Sequence, residues 1–528
     1  MSDAILSEPP TLKDSSSDEP KPSVEVFAVY GVEPEIQAYA MAKYSRSALS
    51  MKEALREITQ QKAEKFLNTF YFQYGHRSIA DLAHIALAIE RLSILAAIII
   101  VDEQRWDGQE RSTRYQDFKK SGYYTPDFGE DGGARALYRE TVNRLFADYE
   151  RLSETMFEYL RGITPKPADM KPDAYERTLR ARAFDISRYL LPLATNTSLG
   201  EIVNARTLET QVAHLLSHTH KEVRDLGGLL KRAATSPAYN ANEESLRALV
   251  EEIRAISPEL GDRAERELLR EVKAAPTLVK YADPNVYEIE TRREMRQAAA
   301  ELMRGAEIAP APLVDLLDED SLEVELATTL LYGHCHFSYR QLRQAVEAAG
   351  EARRREIIEL GLRHRSKHDE MLRAFSAGQQ FRFDILMDIG GFRDMHRHRR
   401  CVQIMQEFTT AHGFDTPPEV EAAGVRGEYE SAMKRAEAAV RSLAASGGEE
   451  AGQNAQYAIP LAFRKRTLFK MDFAEAVYIS ELRTTPAGHA SYRNVAYAMY
   501  EAVAARYPAL AKYFRVTDVR EPVDLLKR

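Results

Sequence analysis

The sequence is poor in cysteine and tryptophan, and it has no long hydrophobic run. Its 528 residues include 2 cysteines, Cys335 and Cys401, and 1 tryptophan. Two thiols exclude a disulfide framework and a cysteine-rich metal site. The longest apolar run, residues 92–101, is too short to cross a bilayer, and the N-terminus lacks the apolar core of a secretion signal. We therefore expect a cytoplasmic protein with no membrane partner.

The sequence also lacks any excess of positive charge. The formal net charge is −8 and the isoelectric point is about 6.0, so nothing attracts nucleic acid or an anionic membrane globally. A phosphate-binding site must then be local. With 44% hydrophobic and 29% charged residues the chain has the composition of a globular protein, and its length predicts more than one domain.

The densest group of chemically active side chains lies just after the apolar run. Glu110, Ser112, Arg114 and Tyr115 place a carboxylate, a hydroxyl, a guanidinium and a phenol within six residues. Arginine offers a planar fork of donors that matches phosphate oxygens. Taken alone, the stretch fits a solvated, charged junction or a Glu110–Arg114 helix pair equally well. Its interpretation depends on the rest of the chain.

The order of features in the first half of the chain returns in the second half. A repeat this long predicts a duplicated domain, and it makes His412 the approximate counterpart of Arg114. The matching segments are 24–30 with 277–281 (predicted strands), 76–78 with 364–366, 102–104 with 397–399, 109–110 with 406–407, and 189–192 with 457–460.

Composition and periodicity divide the chain into four segments. Residues 1–22 are rich in Ser, Asp, Glu, Pro and Lys, which predicts a disordered tail. Residues 241–273 are charged and poor in aromatics, which predicts a helical connector. The domains on either side span 23–240 and 274–528. Long helices are predicted in the first domain, over residues 34–74, 132–160 and through 189–230.

Several of these residues resemble the flavin-dependent thymidylate synthases in order and approximate spacing. That family's signature is Arg-His-Arg, a few residues, and then Asn-Glu-x-Ser-x-Arg-Tyr. Its members have about half this length and form homotetramers with active sites between subunits. The resemblance implies an α+β fold in two tandem copies, each with an antiparallel sheet beside long helices, and a homodimer equivalent to the family's tetramer. It rests on Ser78, Glu110-x-Ser112-x-Arg114-Tyr115, Leu191-Pro192 and Asn204-Ala205-Arg206.

Each half departs from the signature in a different place. Residues 102–104 replace Arg-His-Arg in the first half, whereas Arg397, His398 and Arg399 keep it in the second. There, residues 408–412 replace the Ser-x-Arg-Tyr part. Arg483 matches a later substrate arginine, where the first half has only leucines. Because each half keeps what the other lost, we expect one composite site built from both.

The resemblance implies a role for each retained residue. FAD, reduced by NADPH, would handle a one-carbon unit from methylenetetrahydrofolate and deliver a hydride to C5 of dUMP. Arg483 would stabilise charge on the uracil carbonyl, with Glu110 as a second catalytic residue. The residues assigned to dUMP are Ser112, Arg114, Tyr115 and Arg188. The residues assigned to the flavin are His76, Ser78, Asn204, Arg206, Arg397, His398 and Arg399.

Other interpretations remain open at this point. The chain could be a flavoprotein acting on another pyrimidine nucleotide, or an inactive scaffold of the same fold. A nucleic-acid-binding role for the basic run 396–400 is disfavoured by the negative net charge. His214, His218 and His220 could share a helix face, but no carboxylate motif accompanies them, so we predict no metal site.

Overall fold

The computed structural model describes residues 31–43, 55, 77–119, 121–317, 322–365, 372–375, 381–512 and 514–526. The predicted tail at 1–22, the strand at 24–30, His76 and Ser366 lie outside these residues. Of the helix predicted over 34–74, the described part is Pro34–Lys43. The predicted domain boundaries therefore stay a prediction.

The first half and the connector contain three strands and eight α-helices among the described residues. Helices α7 and α8 lie within the predicted connector. The elements are α1 Pro34–Lys43, β1 His84–Ser93, α2 Ile94–Ile100, β2 Trp106–Glu110, α3 Gly132–Ile163, α4 Pro172–Ser187, β3 Asn196–Asn204, α5 Ala205–Leu216, α6 Lys221–Thr235, α7 Glu243–Ile256 and α8 Pro258–Leu268.

The remainder contains four strands and eleven helices among the described residues. They are α9 Val286–Leu302, β4 Val314–Leu316, α10 Leu322–Tyr332, α11 Tyr339–Ala348, α12 Gly350–Leu360, β5 Phe381–Asp388, α13 Ile389–Met395, β6 Val402–Met405, α14 Pro418–Ala422, α15 Arg426–Ala445, α16 Gly448–Gln456, β7 Arg464–Met471, α17 Phe473–Arg483, α18 Ala490–Arg506 and α19 Pro508–Ala511.

Each half contains one antiparallel sheet, in which β3 in the first half and β7 in the second half pair with a strand on either side. In the first sheet the order is β1-β3-β2, and Glu110 at the end of β2 pairs with Leu199 of β3. In the second sheet the order is β4-β5-β7-β6, and Met405 at the end of β6 pairs with Thr467 of β7. Long helices pack beside both sheets. The predicted α+β class with antiparallel sheets is confirmed.

Reciprocal backbone hydrogen bonds join the two halves. The Leu193 amide donates to the Ile459 carbonyl (2.9 Å), and the Leu461 amide donates to the Leu191 carbonyl (3.0 Å). A bridge between Pro192 and Pro460 lies at the centre of this exchange. Equivalent residues that swap donor and acceptor roles are the mark of a twofold relation. The halves therefore pack like the two subunits of a symmetric dimer.

Strand pairing corrects the sequence correspondence near Arg114. The Arg111 amide donates to the Ser198 carbonyl (2.9 Å), and the Gln406 amide donates to the Arg466 carbonyl (3.2 Å). Gln406 is thus the counterpart of Arg111, not of Gln109. Counting onward, Glu407 takes the place of Ser112, and the counterpart of Arg114 is Thr409. The assignment of His412 to that position was wrong.

Two other local predictions were wrong. Residues 277–281 form a turn and not a strand, because the amides of Thr277 and Leu278 donate to the Glu35 carboxylate (2.8 and 2.7 Å) and not to a neighbouring strand. The helix predicted through 189–230 is interrupted by β3. Pro192 cannot continue a helix, and the β-branched residues Thr197, Ile202 and Val203 favour a strand.

One hydrophobic core runs through both halves. It includes Tyr138 and Leu193 from the first half and Phe463 and Val495 from the second. A smaller core lies between the second sheet and helices α10 to α12. Of the helices that the structure describes, none is long and apolar enough to cross a membrane. The continuous core fixes the interface on which the candidate site is built.

Candidate functional site

Arg114 lies at the interface between the halves and contacts both. Its side chain follows the end of β2 and is buried. Its Nε donates to Asp185 Oδ1 (3.0 Å), Nη1 to the Tyr492 hydroxyl (2.9 Å) and Nη2 to the Ala487 carbonyl (3.1 Å). A guanidinium has five N–H groups, so two remain after these bonds. Arg114 is therefore held in place and still has donors to offer.

Two further buried arginines meet beside it at Thr113. Arg188 Nη1 and Arg393 Nη1 both donate to the Thr113 hydroxyl, at 3.4 and 3.2 Å. Arg393 also donates to the Glu110 carboxylate, and Arg188 Nε lies 3.3 Å from Asp185 Oδ1. Among the described residues, Arg188 Nη2 and Arg393 Nε have no hydrogen-bond partner. We call Arg114, Asp185, Arg188 and Arg393 the arginine cluster.

Local sequence explains how these side chains converge. Asp185 lies in the last turn of α4, and Arg188 begins a one-turn 3-10 helix, Arg188–Leu190, that ends before Pro192. Their spacing of three residues places both on one helix face. After β2 the chain turns, and the Ser112 hydroxyl accepts a hydrogen bond from the Arg114 amide (3.2 Å). This turn directs Arg114 back toward α4.

The electrostatics of the cluster favour ionised groups despite burial. Burial alone would lower the pKa of Arg114, but the Asp185 carboxylate raises it above its ordinary value. Burial alone would raise the pKa of Asp185, but His489, Arg188 and Arg114 hold it below its ordinary range. The three arginines face three carboxylates, those of Asp185, Glu110 and Asp394, whose Oδ2 lies 3.8 Å from Arg188 Nη1. The N–H groups of Arg114 and Arg188 that these contacts leave over are suited to an anion.

Arg483, from the second half, lies close to Arg114. The two guanidinium groups stand 5.5 and 5.6 Å from the centre of the same ring, that of Tyr492. Both distances are within the range of a cation–π contact. Arg483 Nε also donates to His398 Nε2 (2.8 Å). The structure thus brings together the substrate arginines predicted from the two halves.

The predicted catalytic Glu110 is tied to arginines of the second half. Its carboxylate accepts a hydrogen bond from Arg393, and its Oε2 lies 3.9 Å from Arg397 Nη2. Its side chain is buried. In this arrangement Glu110 links the turn after β2 to the second half. Tyr115 is half exposed, with its ring centre 5.6 Å from the Arg114 guanidinium.

The residues predicted for the flavin lie in part at the other end of the first sheet. Arg399 stacks on Trp106 (5.1 Å) and donates to Asp107 (3.0 Å). Trp106 pairs with Val203, which precedes Asn204. Arg399 and Asn204 therefore share the sheet end that is remote from Arg114.

Asn204 and Arg206 have structural partners of their own. Asn204 Oδ1 accepts from the Thr207 amide (2.8 Å) and so caps α5, while Arg206 Nη1 donates to Asp81 Oδ2 (3.1 Å). Within the described residues, no hydrogen bond or ion pair joins Asn204 or Arg206 to the arginine cluster. Ser78 lies in the 3-10 helix Arg77–Leu82.

Sequence reasoning missed several residues of the site. Asp185 lies three residues before Arg188, and Arg393 lies four residues before Arg397. Helical spacing from these two predicted site residues is therefore the signal that could have found Asp185 and Arg393. Tyr492 and Glu475 contact Arg114 and His398 across long sequence separations, and no local pattern marks them.

The twofold relation places a second cluster opposite the first. Gln453 and Gln456 take the places of Asp185 and Arg188, and Gln456 Nε2 donates to Gln453 Oε1 (3.3 Å). Thr409 stands for Arg114, and Leu215 for Arg483. We call Gln453, Gln456, Thr409 and His220 the glutamine cluster. It keeps the scaffold of the first cluster without its arginines.

Three residues of α9 that are spaced by four, Glu288, Arg292 and Arg296, contact residues next to the glutamine cluster in sequence. His214 Nε2 lies 2.9 Å from Glu288 Oε1, Arg292 Nη1 donates to the Ser217 carbonyl (2.7 Å), and Arg296 Nη2 donates to Glu407 Oε1 (2.6 Å). Among the residues that the structure describes, no group of three or more His, Cys, Asp or Glu side chains could hold a metal ion.

Comparison with known proteins identifies related sequences. The chain matches the family described as Thymidylate synthase complementing protein over residues 29–236 and 312–509. A UPF0159 protein of Chlamydia pneumoniae is 27% identical over 95% of this chain and 93% of its own. A UPF0159 protein of Thermoplasma acidophilum is 25% identical over 90% and 94%. A flavin-dependent thymidylate synthase of Clostridium tetani is 25% identical over 37% of this chain and 76% of its own.

Solved structures give weaker matches. A UMP/dUMP methylase, PolB from Streptomyces cacaoi bound with 5-Br dUMP, is 16% identical, with a TM-score of 0.28 over 38% of this chain and 84% of that chain. Thymidylate Synthase X from Helicobacter pylori with FAD and dUMP is also 16% identical, with a TM-score of 0.26 over 38% and 88%. These similarities are too low for any conclusion about the site.

Proposed function

Because the chain belongs to the thymidylate synthase complementing protein family, as two tandem and diverged copies, we propose that it is a flavin-dependent thymidylate synthase. It converts dUMP to dTMP at one composite site between its halves. Methylenetetrahydrofolate is the carbon donor and NADPH the reductant. The enzyme works in the cytoplasm as a homodimer.

The observation that carries this proposal is the arginine cluster at the interface between the halves. It joins Arg114 of the first half to Arg483 of the second through one tyrosine ring, and it contains the nearly fully buried Arg188 with an Nη2 group that lacks an acceptor. Buried donors in native proteins are normally paired. An anionic ligand would pair them.

In this proposal the dUMP phosphate binds to Arg188 Nη2 and to the remaining N–H groups of Arg114. The Ser112 hydroxyl, which accepts from the Arg114 amide, still has its own proton to donate. Tyr115, which is half exposed, has its ring centre 5.6 Å from the Arg114 guanidinium. Each charge-assisted contact of this kind contributes about 1.5–3 kcal/mol, so two arginines set most of the phosphate affinity.

The uracil ring then lies toward Arg483. Its guanidinium stabilises negative charge that develops on a ring carbonyl, because a fixed cation in a partly dry site requires little reorganisation during the reaction. Glu110 holds Arg393 and Arg397 in place at the same end of β2. Neither cysteine serves as a nucleophile in this proposal.

The residues present fit a flavin in part. Arg206, Arg397 and Arg399 have partly exposed side chains, and their guanidinium donors suit a pyrophosphate. Together with Asn204 they would hold FAD, with Ser78 and His76 assigned by the resemblance. When bound, the flavin supplies the redox chemistry, and the protein supplies orientation and charge.

The proposal is tested with purified protein, its visible absorption spectrum and an assay for dTMP. We expect a flavin spectrum that changes with dUMP, and dTMP formation with methylenetetrahydrofolate and NADPH. A yellow protein that binds dUMP without forming dTMP would indicate another reaction on a pyrimidine nucleotide. A colourless protein that cannot be reconstituted with FAD would indicate a scaffold.

A further inference from the structure

Arg483 differs from the other arginines of the site in the group that holds it. Arg114 pairs with the Asp185 carboxylate and Arg393 with the Glu110 carboxylate, whereas Arg483 Nε donates to the imidazole of His398. We propose that Glu475 and His398 are positioning residues that aim the Arg483 guanidinium at the nucleotide without neutralising it. The identity of the nucleotide rests on the function proposed above.

The hydrogen bond from Arg483 fixes the tautomer of His398. Because Arg483 Nε carries a hydrogen, His398 Nε2 must accept, and the proton of the neutral ring lies on Nδ1. His398 Nδ1 is 3.5 Å from Glu475 Oε1, where that proton meets a carboxylate. Both ring nitrogens are therefore engaged, one by each neighbour.

The surroundings keep His398 neutral. His398 and Glu475 are buried, and Tyr478 stands edge-on to the imidazole at 5.8 Å. Burial lowers the pKa of His398, and Arg483 lowers it further, while Glu475 and Asp394 raise it. The net shift is downward, so the ring accepts from Arg483 at neutral pH and cannot do so once it is protonated.

This arrangement leaves the charge of Arg483 available. Among the described residues, its Nη1 and Nη2 groups have no hydrogen-bond partner, and the Arg483 side chain is only partly buried. A neutral acceptor at Nε orients the cation, whereas a carboxylate there would also cancel part of its field. The free Nη groups lie on the guanidinium that shares the Tyr492 ring with Arg114.

None of the three residues is present at the equivalent position of the first half. In the first half, the twofold relation places Glu103 at the position of His398, Thr207 at that of Glu475 and Leu215 at that of Arg483. The half that lacks the arginine thus also lacks the neutral imidazole and the carboxylate behind it. Such joint loss is expected if the three residues act as one unit.

The proposal reassigns His398 from the flavin to the nucleotide side of the site. The test compares His398→Phe, which keeps a ring and removes the acceptor, with His398→Gln, which keeps an acceptor. We expect His398→Phe to weaken dUMP binding by about tenfold or more, the loss of one oriented cationic contact. Flavin content per chain should not change, and His398→Gln should recover part of the affinity. Loss of flavin with unchanged dUMP affinity would overturn the proposal.

Glu475 is tested by its effect on pH dependence. Since Glu475 raises the pKa of His398, Glu475→Gln should move the acidic loss of dUMP affinity to lower pH. The dUMP phosphate titrates in the same way in the measurements on the unsubstituted protein and on Glu475→Gln, so it does not contribute to the difference between their pH profiles. An acidic limb that does not move would remove Glu475 from the unit.

A third measurement separates this proposal from the proposed function. Nitrogen-15 NMR of histidine-labelled protein, with His398 assigned through His398→Phe, should show Nδ1 protonated and Nε2 unprotonated at neutral pH without any nucleotide. If the protein binds no dUMP but shows this tautomer, the proposed function fails and the positioning unit stands. If Nε2 were protonated and Nδ1 were not, the positioning role of His398 and Glu475 would be disproved, whether or not the protein binds dUMP.

Discussion

The arginine cluster and the glutamine cluster stand at equivalent places on one duplicated scaffold, yet they differ in charge. Tyr189 packs on His489 in the first, and Tyr457 packs on His220 in the second, each with ring centres 5.5 Å apart. These apolar and backbone contacts are kept at both places, whereas the buried arginines are kept at one. The fold is therefore compatible with either charge state, and the arginines are better explained by a ligand than by stability.

At one helix cap the two copies have exchanged a hydroxyl and a carboxylate but have kept the hydrogen bond between them. Ser93 caps α2 and donates to Glu222 Oε2 (2.6 Å), while Asp388 caps the equivalent α13 and accepts a hydrogen bond from Ser491. One copy has the hydroxyl at the cap and the acid on the partner helix, and the other has the reverse. Structural contacts thus survive divergence by compensating changes, and the arginines of the first cluster have no such compensation in the second.

The largest difference between the clusters should appear in stability when each loses its central acceptor. Asp185→Ala leaves Arg114 and Arg188 buried without their carboxylate, which should cost about 3–5 kcal/mol. The matched change Gln453→Ala removes a neutral hydrogen bond and should cost about 1 kcal/mol. Denaturant midpoints of the two variants measure the contrast. Equal losses would mean that the clusters are energetically alike.

Burial raises the pKa of the acid in each exchanged cap, Glu222 and Asp388, so both caps should make stability depend on pH. Burial raises the pKa of Asp388 to about 6. An acid with a raised pKa in the folded state contributes stability that is present below about pH 4 and lost as pH rises through 6. Asp388→Ser, which installs the residue of the first half, removes this contribution.

Relative to the unsubstituted protein, the Asp388→Ser variant should therefore gain about 3 kcal/mol between pH 4 and pH 7, from a shift of about two pKa units. Thermal unfolding at the two pH values measures this difference. A pH-independent difference would show that the Asp388 carboxylate is not titrating in this range.

Nucleotide binding should separate the clusters next. Arg114→Ala should weaken dUMP binding by about 1.5–3 kcal/mol, the loss of a charge-assisted contact. Thr409→Ala, at the corrected counterpart, and His412→Ala should leave dUMP affinity unchanged. Isothermal titration of the three variants provides the measurement. An equal loss at Arg114 and Thr409 would contradict a single composite site.

The sequence predicted the duplication, the sheet-and-helix class and two residues of the arginine cluster, Arg114 and Arg188. Gly122 and Gly413 are equivalent, because they accept hydrogen bonds from the equivalent Asn196 and Arg464 amides. The sequence could not align Arg114 with Thr409, because the connection from β6 to Gly413 is shorter than that from β2 to Gly122, and only the backbone pairing reveals the gap. Tyr492 was missed for another reason. Its contact with Arg114 depends on packing between elements far apart in the chain, which no local periodicity encodes.

The smallest expected effect concerns α9, which lies outside both segments matched to the family. Arg292 contacts the C-terminal end of α5, which is the counterpart of the end of α17 that carries Arg483. Arg296 contacts Glu407, which is the counterpart of Ser112. We expect the chain to bind one dUMP and not two, because the glutamine cluster beside α9 lacks the arginines of the first cluster.

Arg296→Ala tests the alternative that α9 blocks a second nucleotide site. It removes a partly exposed ion pair with Glu407, so it should lower stability by about 0–1 kcal/mol. It should change neither the affinity for dUMP nor the stoichiometry, because the glutamine cluster has no arginines equivalent to Arg114 and Arg188. Titration calorimetry gives both numbers in one experiment. If the variant acquired a second dUMP per chain, the glutamine cluster would be a nucleotide site that α9 blocks, and the contrast between the clusters would be one of access and not of chemistry.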